Sequence, residues 1–122
     1  MSKTAVVVNT KGEMSIIDIA EDELTKLQSA VDGLIQPIDL DTHATMWVNE
    51  EGLFRSDLEM NEIATAIYAE MYGNIANPLI GDAVFTGGTD EEGETLTLPQ
   101  EYIDSLKKLT DDYQRMLSQM FS

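Results

Sequence analysis

The chain has 122 residues, and 23 acidic residues against 7 basic ones give it a formal net charge of −16. This length suits one domain, and so large an excess of negative charge disfavours nucleic-acid phosphates and anionic membranes as direct partners. The lack of cysteine excludes disulfides and zinc–thiolate sites. We therefore expect a single acidic domain over residues 1–122, located in the cytoplasm, that attracts cationic partners.

The first part of the chain predicts a hairpin followed by a helix. Ala5–Val8 and Met14–Ile19 are rich in β-branched residues, and the turn between them contains Gly12. The spacing of Leu24, Leu27 and Val31 then fits one face of a helix.

Two further strands are predicted at Leu34–Leu40 and Thr45–Asn49. Pro37 has no N–H for a strand ladder, so the first of these is expected at a sheet edge or beside a bulge. Trp47, the only tryptophan, shares a strand face with Thr45 and Asn49. We expect it to be half-exposed and available at an interface.

The middle of the chain predicts a second helix. Ser56-Asp57-Leu58-Glu59 matches a capping box, in which Ser56 and Glu59 bind the helix's first N–H groups. The apolar stripe that follows has helical spacing, and it consists of Met60, Ile63, Ile67 and Met71. Gly73-Asn74 ends the pattern.

The last part predicts a strand at 82–86, an acidic hairpin loop at 87–93, a short strand at 95–98 and a helix from Gln100 to the C-terminus. Pro99 suits the first position of that helix. The predicted fold is α+β: a mostly antiparallel sheet of about five or six strands with three helices, the last of them long and C-terminal.

Motifs for catalysis and cofactor binding are missing from the sequence. His43 is the only histidine, no serine lies in a nucleophile-elbow pattern, and no glycine-rich run ends in Lys-Ser or Lys-Thr. We therefore expect no catalytic residue, no metal site and no cofactor. An enzyme that uses carboxylates alone stays open as an alternative.

No basic residue occurs from Ser56 to Leu106, although acids occur throughout this stretch. The hypothesis is a negative face that binds a basic protein, and the plainer alternative is a solvated exterior. The candidate interaction surface consists of Trp47, Glu50, Glu51, Glu59, Glu62, Tyr68, Glu70, Tyr72, Asp90, Glu91, Glu92 and Glu94.

The last helix carries an apolar seam at spacings of three and four. The candidate residues for self-association on it are Ile103, Leu106, Tyr113, Leu117 and Met120. The seam either packs on the sheet or pairs with a second copy in a homodimer, and the pattern alone allows both.

The succession of motifs resembles a known family. Asn49-Glu50-Glu51-Gly52 is its most specific piece, and Asn61, Ala64 and the strand Ile80–Phe85 follow it. Over roughly residues 14 to 110, this order resembles a domain-of-unknown-function family of small phage and mobile-element proteins. The resemblance implies an accessory protein in the cytoplasm of an infected bacterial host, and it transfers no catalytic residue.

The expected function is that of a non-enzymatic, phage-type accessory protein that binds a basic host protein through an acidic face, as an inhibitor or DNA mimic. A protein that sequesters a small ligand, such as a nucleotide or metabolite, is the alternative from another class. Its weakness is electrostatic, because nucleotides are anionic and this chain has few bases.

Overall fold

The computed structural model describes residues 2–73 and 77–121, and it confirms the α+β class. Five strands form one antiparallel sheet: β1 (Thr4–Val8), β2 (Met14–Asp18), β3 (Ile35–Asp41), β4 (Ala44–Asn49) and β5 (Ala83–Thr86). The helices are α1 (Glu23–Val31), α2 (Glu62–Tyr72) and the long C-terminal α3 (Gln100–Met120), with a short 3-10 turn at Gly52–Phe54. No helix in the two described ranges is long and apolar enough to cross a membrane.

The strand order is β2-β1-β5-β4-β3, and every neighbouring pair is antiparallel. The predicted hairpin is therefore β1–β2, which lies at one edge of the sheet. β3 forms the other edge and its pairing with β4 shifts between Asp39 and Asp41. Pro37 thus lies in an edge strand, as predicted, where its missing N–H leaves no central ladder bond unmade.

The core lies on both faces of the sheet, because side chains alternate between the faces along each strand. On one face, Ala5 and Val84 pack with Leu27 and Val31 of α1. On the other face, α2 and α3 cover a larger cluster that includes Val6, Val8, Met46, Phe85, Ile63 and Leu106. Each fully buried side chain of this size contributes roughly 1.5–3 kcal/mol by leaving water.

The predicted capping box at Ser56–Glu59 is wrong, because α2 begins six residues after Ser56 and is capped by Asn61. The chain before α2 is held extended: the N–H of Asn61 donates to the carbonyl of Leu79, and the N–H of Gly81 donates to that of Glu59. An extended segment cannot also form the first helical turn. At the other end, Gly73 closes α2 by donating to the carbonyl of Ala69, and Asn74 lies outside the described residues.

The strand predicted at residues 95–98 does not form as a strand. Thr95 makes an isolated bridge to Thr89, and Leu96 exchanges backbone bonds with Gly87 and Gly88. Leu98 then donates its N–H to Thr4 of β1 instead. The segment therefore crosses from the hairpin to β1, which leaves five strands rather than six among the described residues.

Candidate functional site

The antiparallel register gathers the acidic segments at one end of the sheet. β1 and β4 start at this end, and β2, β3 and β5 finish there. We call it the acidic end and define it by ten residues: Asp18, Glu21, Asp22, Glu23, Asp39, Asp41, Asp90, Glu91, Glu92 and Glu94. Nine of the ten are exposed and Glu23 is half-buried. Its basic residues, Lys3 and Lys26, leave a net charge of −8.

Residues 87–98 hold the acidic end together by close backbone packing. A Cβ added at Gly88 would lie 2.4 Å from the carbonyl oxygen of Thr42, and one at Gly87 would lie 2.3 Å from that of Thr97. Only glycine permits these approaches. On the far side, the N–H of Thr4 donates to the Thr97 hydroxyl at 2.7 Å. The segment thus connects the β3–β4 turn with β1.

The tip of the hairpin is ordered by its own aspartate. The Asp90 carboxylate accepts the N–H groups of Glu92 and Glu94, each at 2.9 Å, and the carbonyl of Asp90 accepts that of Gly93. Such a turn fixes the backbone while the glutamate side chains stay in water. Glu91, Glu92 and Glu94 are accordingly presented as exposed charges.

The two lysines of the acidic end are held by local partners. Lys3 Nζ lies 2.8 Å from Glu23 and 3.9 Å from Glu94, so it joins the start of α1 to the hairpin. The hydrogen bond to Glu23 raises the pKa of Lys3. Lys26 Nζ donates to the backbone carbonyl of Asp18 at 2.9 Å. Among the described residues, Glu23 and Glu94 are the only two of the ten acidic residues that form an ion pair.

An open depression of about 440 Å³ forms the concave part of the acidic end. It is lined by Asp39, Asp41, Thr42, Thr45, Gly88 and Thr89. The Tyr102 hydroxyl of α3 donates to the Asp41 carboxylate. This bond lowers the pKa of Asp41 and raises the pKa of Tyr102 to about 12, so the carboxylate is charged and the phenol neutral at physiological pH.

The opposite end of the sheet, where β1 and β4 finish, is also acidic but contains a well-placed base. Arg55 binds both carboxylate oxygens of Asp57 at 2.7 Å and reaches Asp32 at 2.8 Å. The hydrogen bonds from Arg55 lower the pKa of Asp57 to about 2. This bidentate pair partly neutralises the carboxylates around Arg55, whereas the acidic end has no comparable pair among the described residues.

The structure divides the sequence-predicted interaction surface among several places. Asp90, Glu91, Glu92 and Glu94 lie at the acidic end, whereas Glu50, Glu51 and Glu59 lie at the opposite end. Glu62 and Glu70 are exposed on α2, and the Tyr113 hydroxyl of α3 donates to Glu62. Sequence reasoning did not include Asp18, the Glu21–Glu23 run, Asp39 or Asp41. Their only common signal is that each follows or ends a predicted strand.

Trp47 belongs to the core beside α1. It is half-buried, as predicted, and it packs against the cluster that contains Leu27 and Val31. Its Nε1 donates to the Thr86 hydroxyl at 2.8 Å, which satisfies the indole's one donor. Packing against α1 and the hydrogen bond to Thr86 account for a tryptophan at this position.

Tyr68 and Tyr72 form an edge-to-face pair with ring centroids 5.3 Å apart. Tyr68 packs against the core and also lines a second pocket, of about 220 Å³, with Leu53, Pro78 and the edge strand β3. The Tyr72 hydroxyl donates to the carbonyl of Asp39. The pair therefore ties α2 to β3.

The apolar seam of α3 divides into a packed half and an exposed half. Ile103 and Leu106 are buried in the core, Tyr113 and Leu117 are half-buried, and Met120 is exposed. The interpretation that the seam packs on the sheet is right for its first half. Across the described residues, no group of three or more histidine, aspartate or glutamate side chains is placed to hold a metal ion.

Comparison with known proteins places the chain in a family. Residues 1–114 match the family described as a domain of unknown function, DUF3846. No curated protein and no solved structure matches the chain. The match carries no phage or mobile-element association. Because it covers nearly the whole sequence, the chain belongs to the DUF3846 family.

Proposed function

We propose that the chain is a non-enzymatic accessory protein that binds a basic protein through its acidic end. The observation that carries this proposal is the convergence of ten carboxylates, from three separate stretches of sequence, on one end of the sheet with two lysines beside them. A surface of this kind attracts and orients a cationic partner. In its phage-type form, the proposal is that the partner is a host protein and that binding inhibits it.

The density of charge supports mimicry of DNA as one form of this function. Four gaps between five strands span about 19 Å from β2 to β3. Duplex DNA has about one phosphate per 1.7 Å of axis, or about eleven over that length. The ten carboxylates of the acidic end are therefore comparable in density with the phosphates that a DNA-binding protein neutralises.

The behaviour of the carboxylates favours binding over catalysis. Asp18 accepts N–H groups from Lys3 and Ala20, and these bonds lower its pKa. Tyr102 lowers the pKa of Asp41 in the same way. A carboxyl group that donates protons near neutral pH needs the opposite shift, which burial produces.

The test compares two variants with the same change in charge. Glu91→Lys/Glu92→Lys/Glu94→Lys alters the acidic end, and Glu50→Lys/Glu51→Lys/Glu59→Lys alters the opposite end. All six glutamates are exposed, so both variants should fold with nearly unchanged stability. Tagged wild-type protein first captures the basic partner from bacterial lysate, and calorimetry then measures the affinity of each variant for that purified partner.

We expect the acidic-end variant to lose at least about tenfold in affinity at low salt, and the matched variant to lose much less. Wild-type affinity should fall as salt rises, because the charges are exposed and screened. Equal losses in the two variants would show that net charge alone attracts the partner, and this would refute the proposed site. Retained affinity in the acidic-end variant would refute it as well.

A small-ligand-sequestering protein is the second candidate, because the pocket beside Tyr68 is partly enclosed by α2, β3 and Pro78. Its volume of about 220 Å³ is below the usual range for drug-sized ligands. Glu50 and Asn49 also line it, so an anionic ligand would meet a carboxylate. Calorimetry against a nucleotide panel tests it, and heat that is lost in Tyr68→Ala would favour this candidate.

A further inference from the structure

The helix α3 is packed against the rest of the protein before Tyr113 and Gln114 and is largely exposed after them. Before them, Ile103, Leu106 and Thr110 are buried against the rest of the protein. The Tyr113 ring packs on Gly12, where an added Cβ would lie 2.2 Å from a ring carbon. The Gln114 side chain donates to the carbonyl of Lys11 at 2.7 Å. The family match also ends at residue 114.

Beyond this point the helix runs on past the β1–β2 turn. We call Arg115–Phe121 the terminal segment; it is helical to Met120 and about 10 Å long. Four of its seven residues are apolar: Met116, Leu117, Met120 and Phe121. Met116 is 46%, Met120 65% and Phe121 82% exposed. Leu109 continues this stripe towards the packed half of the helix, since residues seven apart share a face.

The terminal segment also differs in charge from the rest of the surface. Residues 107–121, which include the terminal segment and the two helical turns before it, contain 2 acids and 3 bases, whereas residues 1–106 contain 21 acids and 4 bases. No acid follows Asp112. Two copies of a molecule with a net charge of −16 repel each other over most approaches. They meet with least repulsion where these segments face each other.

We propose that the terminal segment pairs with the same segment of a second copy in a two-fold, antiparallel homodimer. A two-fold interface needs a self-complementary patch, and a neutral apolar stripe satisfies that need. The exposed apolar area is on the order of 400 Å² per copy, which is below the roughly 800 Å² per partner of a stable interface. The dimer is therefore weak and forms as concentration rises.

The pairing would give the assembly two separated acidic ends. Tyr102 at the start of α3 contacts Asp41 of the acidic end, and Gln114 contacts Lys11 at the opposite end. Because the terminal segment extends beyond the opposite end, the two acidic ends of the dimer point away from each other. Such a dimer binds two sites on a basic partner with added avidity.

The test is sedimentation equilibrium over a concentration series up to the high-micromolar range. Met116→Gln/Met120→Gln removes apolar surface from the terminal segment without changing charge. Met60→Gln/Met71→Gln is the matched control, because these methionines are 42% and 48% exposed elsewhere on the surface. Circular dichroism checks that both variants retain the helical content of the wild type.

We expect the wild type and the control to dimerise alike, and the terminal-segment variant to weaken dimerisation at least about tenfold. Salt should strengthen the dimer by screening the repulsion between the two copies, whereas it should weaken binding to a basic partner. Failure here is thus separable from failure of the proposed function. A wild type that stays monomeric overturns the proposal, and the exposed apolar stripe would then be a contact surface for a different protein. A dimer that Met116→Gln/Met120→Gln does not affect overturns it too.

Discussion

The two ends of the sheet are organised by different chemistry. At the opposite end, a neutral and fully buried side chain, Asn61, joins three backbone segments. At the acidic end, exposed carboxylates surround two lysines, and close contacts of Gly87 and Gly88 hold the backbone. Buried hydrogen bonds are costly to break, whereas exposed charges contribute little to stability. The first end is therefore expected to contribute more to stability, and the second is the end for which we propose binding.

Substitution of Asn61 is expected to cause the largest loss of stability. Its amide nitrogen donates to the carbonyls of Val8 and Gly81 at 3.0 and 3.1 Å, and its oxygen accepts the N–H of Ala64 at 3.0 Å. Asn61→Ala would remove both hydrogen bonds to these carbonyls and the side-chain cap of α2. The free energy of unfolding, measured by urea denaturation, should fall by about 3 kcal/mol or more.

Asn61→Ser separates the contribution of the cap from that of the other two bonds, because a serine hydroxyl can still cap α2 but cannot reach two carbonyls. We expect it to recover about 1 kcal/mol of the loss. If Asn61→Ala destabilised the protein no more than the triple lysine variant of the acidic end, the division between the two ends would be wrong.

The parts of the fold that could be predicted from the sequence are those that depend on local patterns. Strands and helices follow from local patterns, so β1, β4, α1 and α3 were found to within about two residues. The role of Asn61 as the cap of α2 was not predicted, and its bonds to the carbonyls of Val8 and Gly81, which are 53 and 20 residues away, have no local sequence pattern. The local pattern at Ser56–Glu59 carried no information about that pairing.

The acidic end shows the same limit for the candidate site. The base-free stretch contains Asp90, Glu91, Glu92 and Glu94, but nothing in the local sequence joins these residues to Glu23 or Asp41. That proximity arises from strand order, and β5 lies between β1 and β4 although it comes last in sequence. The sequence could thus supply the charges, whereas only the topology could show which of them meet.

Gly88 should give the next largest effect, because it tests whether backbone packing organises the acidic end. A Cβ there would lie 2.4 Å from the Thr42 carbonyl oxygen, so the turn must move. We expect Gly88→Ala to cost about 1–3 kcal/mol and to weaken binding of the basic partner. Gly93→Ala is the control: it meets no atom within 4 Å, although its φ of +81° is strained for alanine. A greater loss at Gly93 than at Gly88 would contradict this role.

The smallest effect concerns a tyrosine at each end, each of which donates to a carboxylate. Tyr102 binds Asp41 at the acidic end, and Tyr113 binds Glu62 near the opposite end. Tyr102→Phe and Tyr113→Phe keep the ring and remove the donor. Because both bonds are close to solvent, each change should cost only about 0.5 kcal/mol near neutral pH.

The pH dependence of this cost identifies the bond at Tyr102. The folded-state pKa of Tyr102 is raised from 10.0 to about 12, so its contribution is complete below pH 10 and is lost as the pH rises towards 12. The pKa of Asp41 is lowered below 3.8, so its contribution is complete above that value and is lost as the pH falls further. The difference in unfolding free energy between wild type and Tyr102→Phe should therefore be constant in the neutral range and vanish at both extremes. A difference that persisted at pH 12 would mean that the lost stability comes from packing of the ring and not from the bond to Asp41.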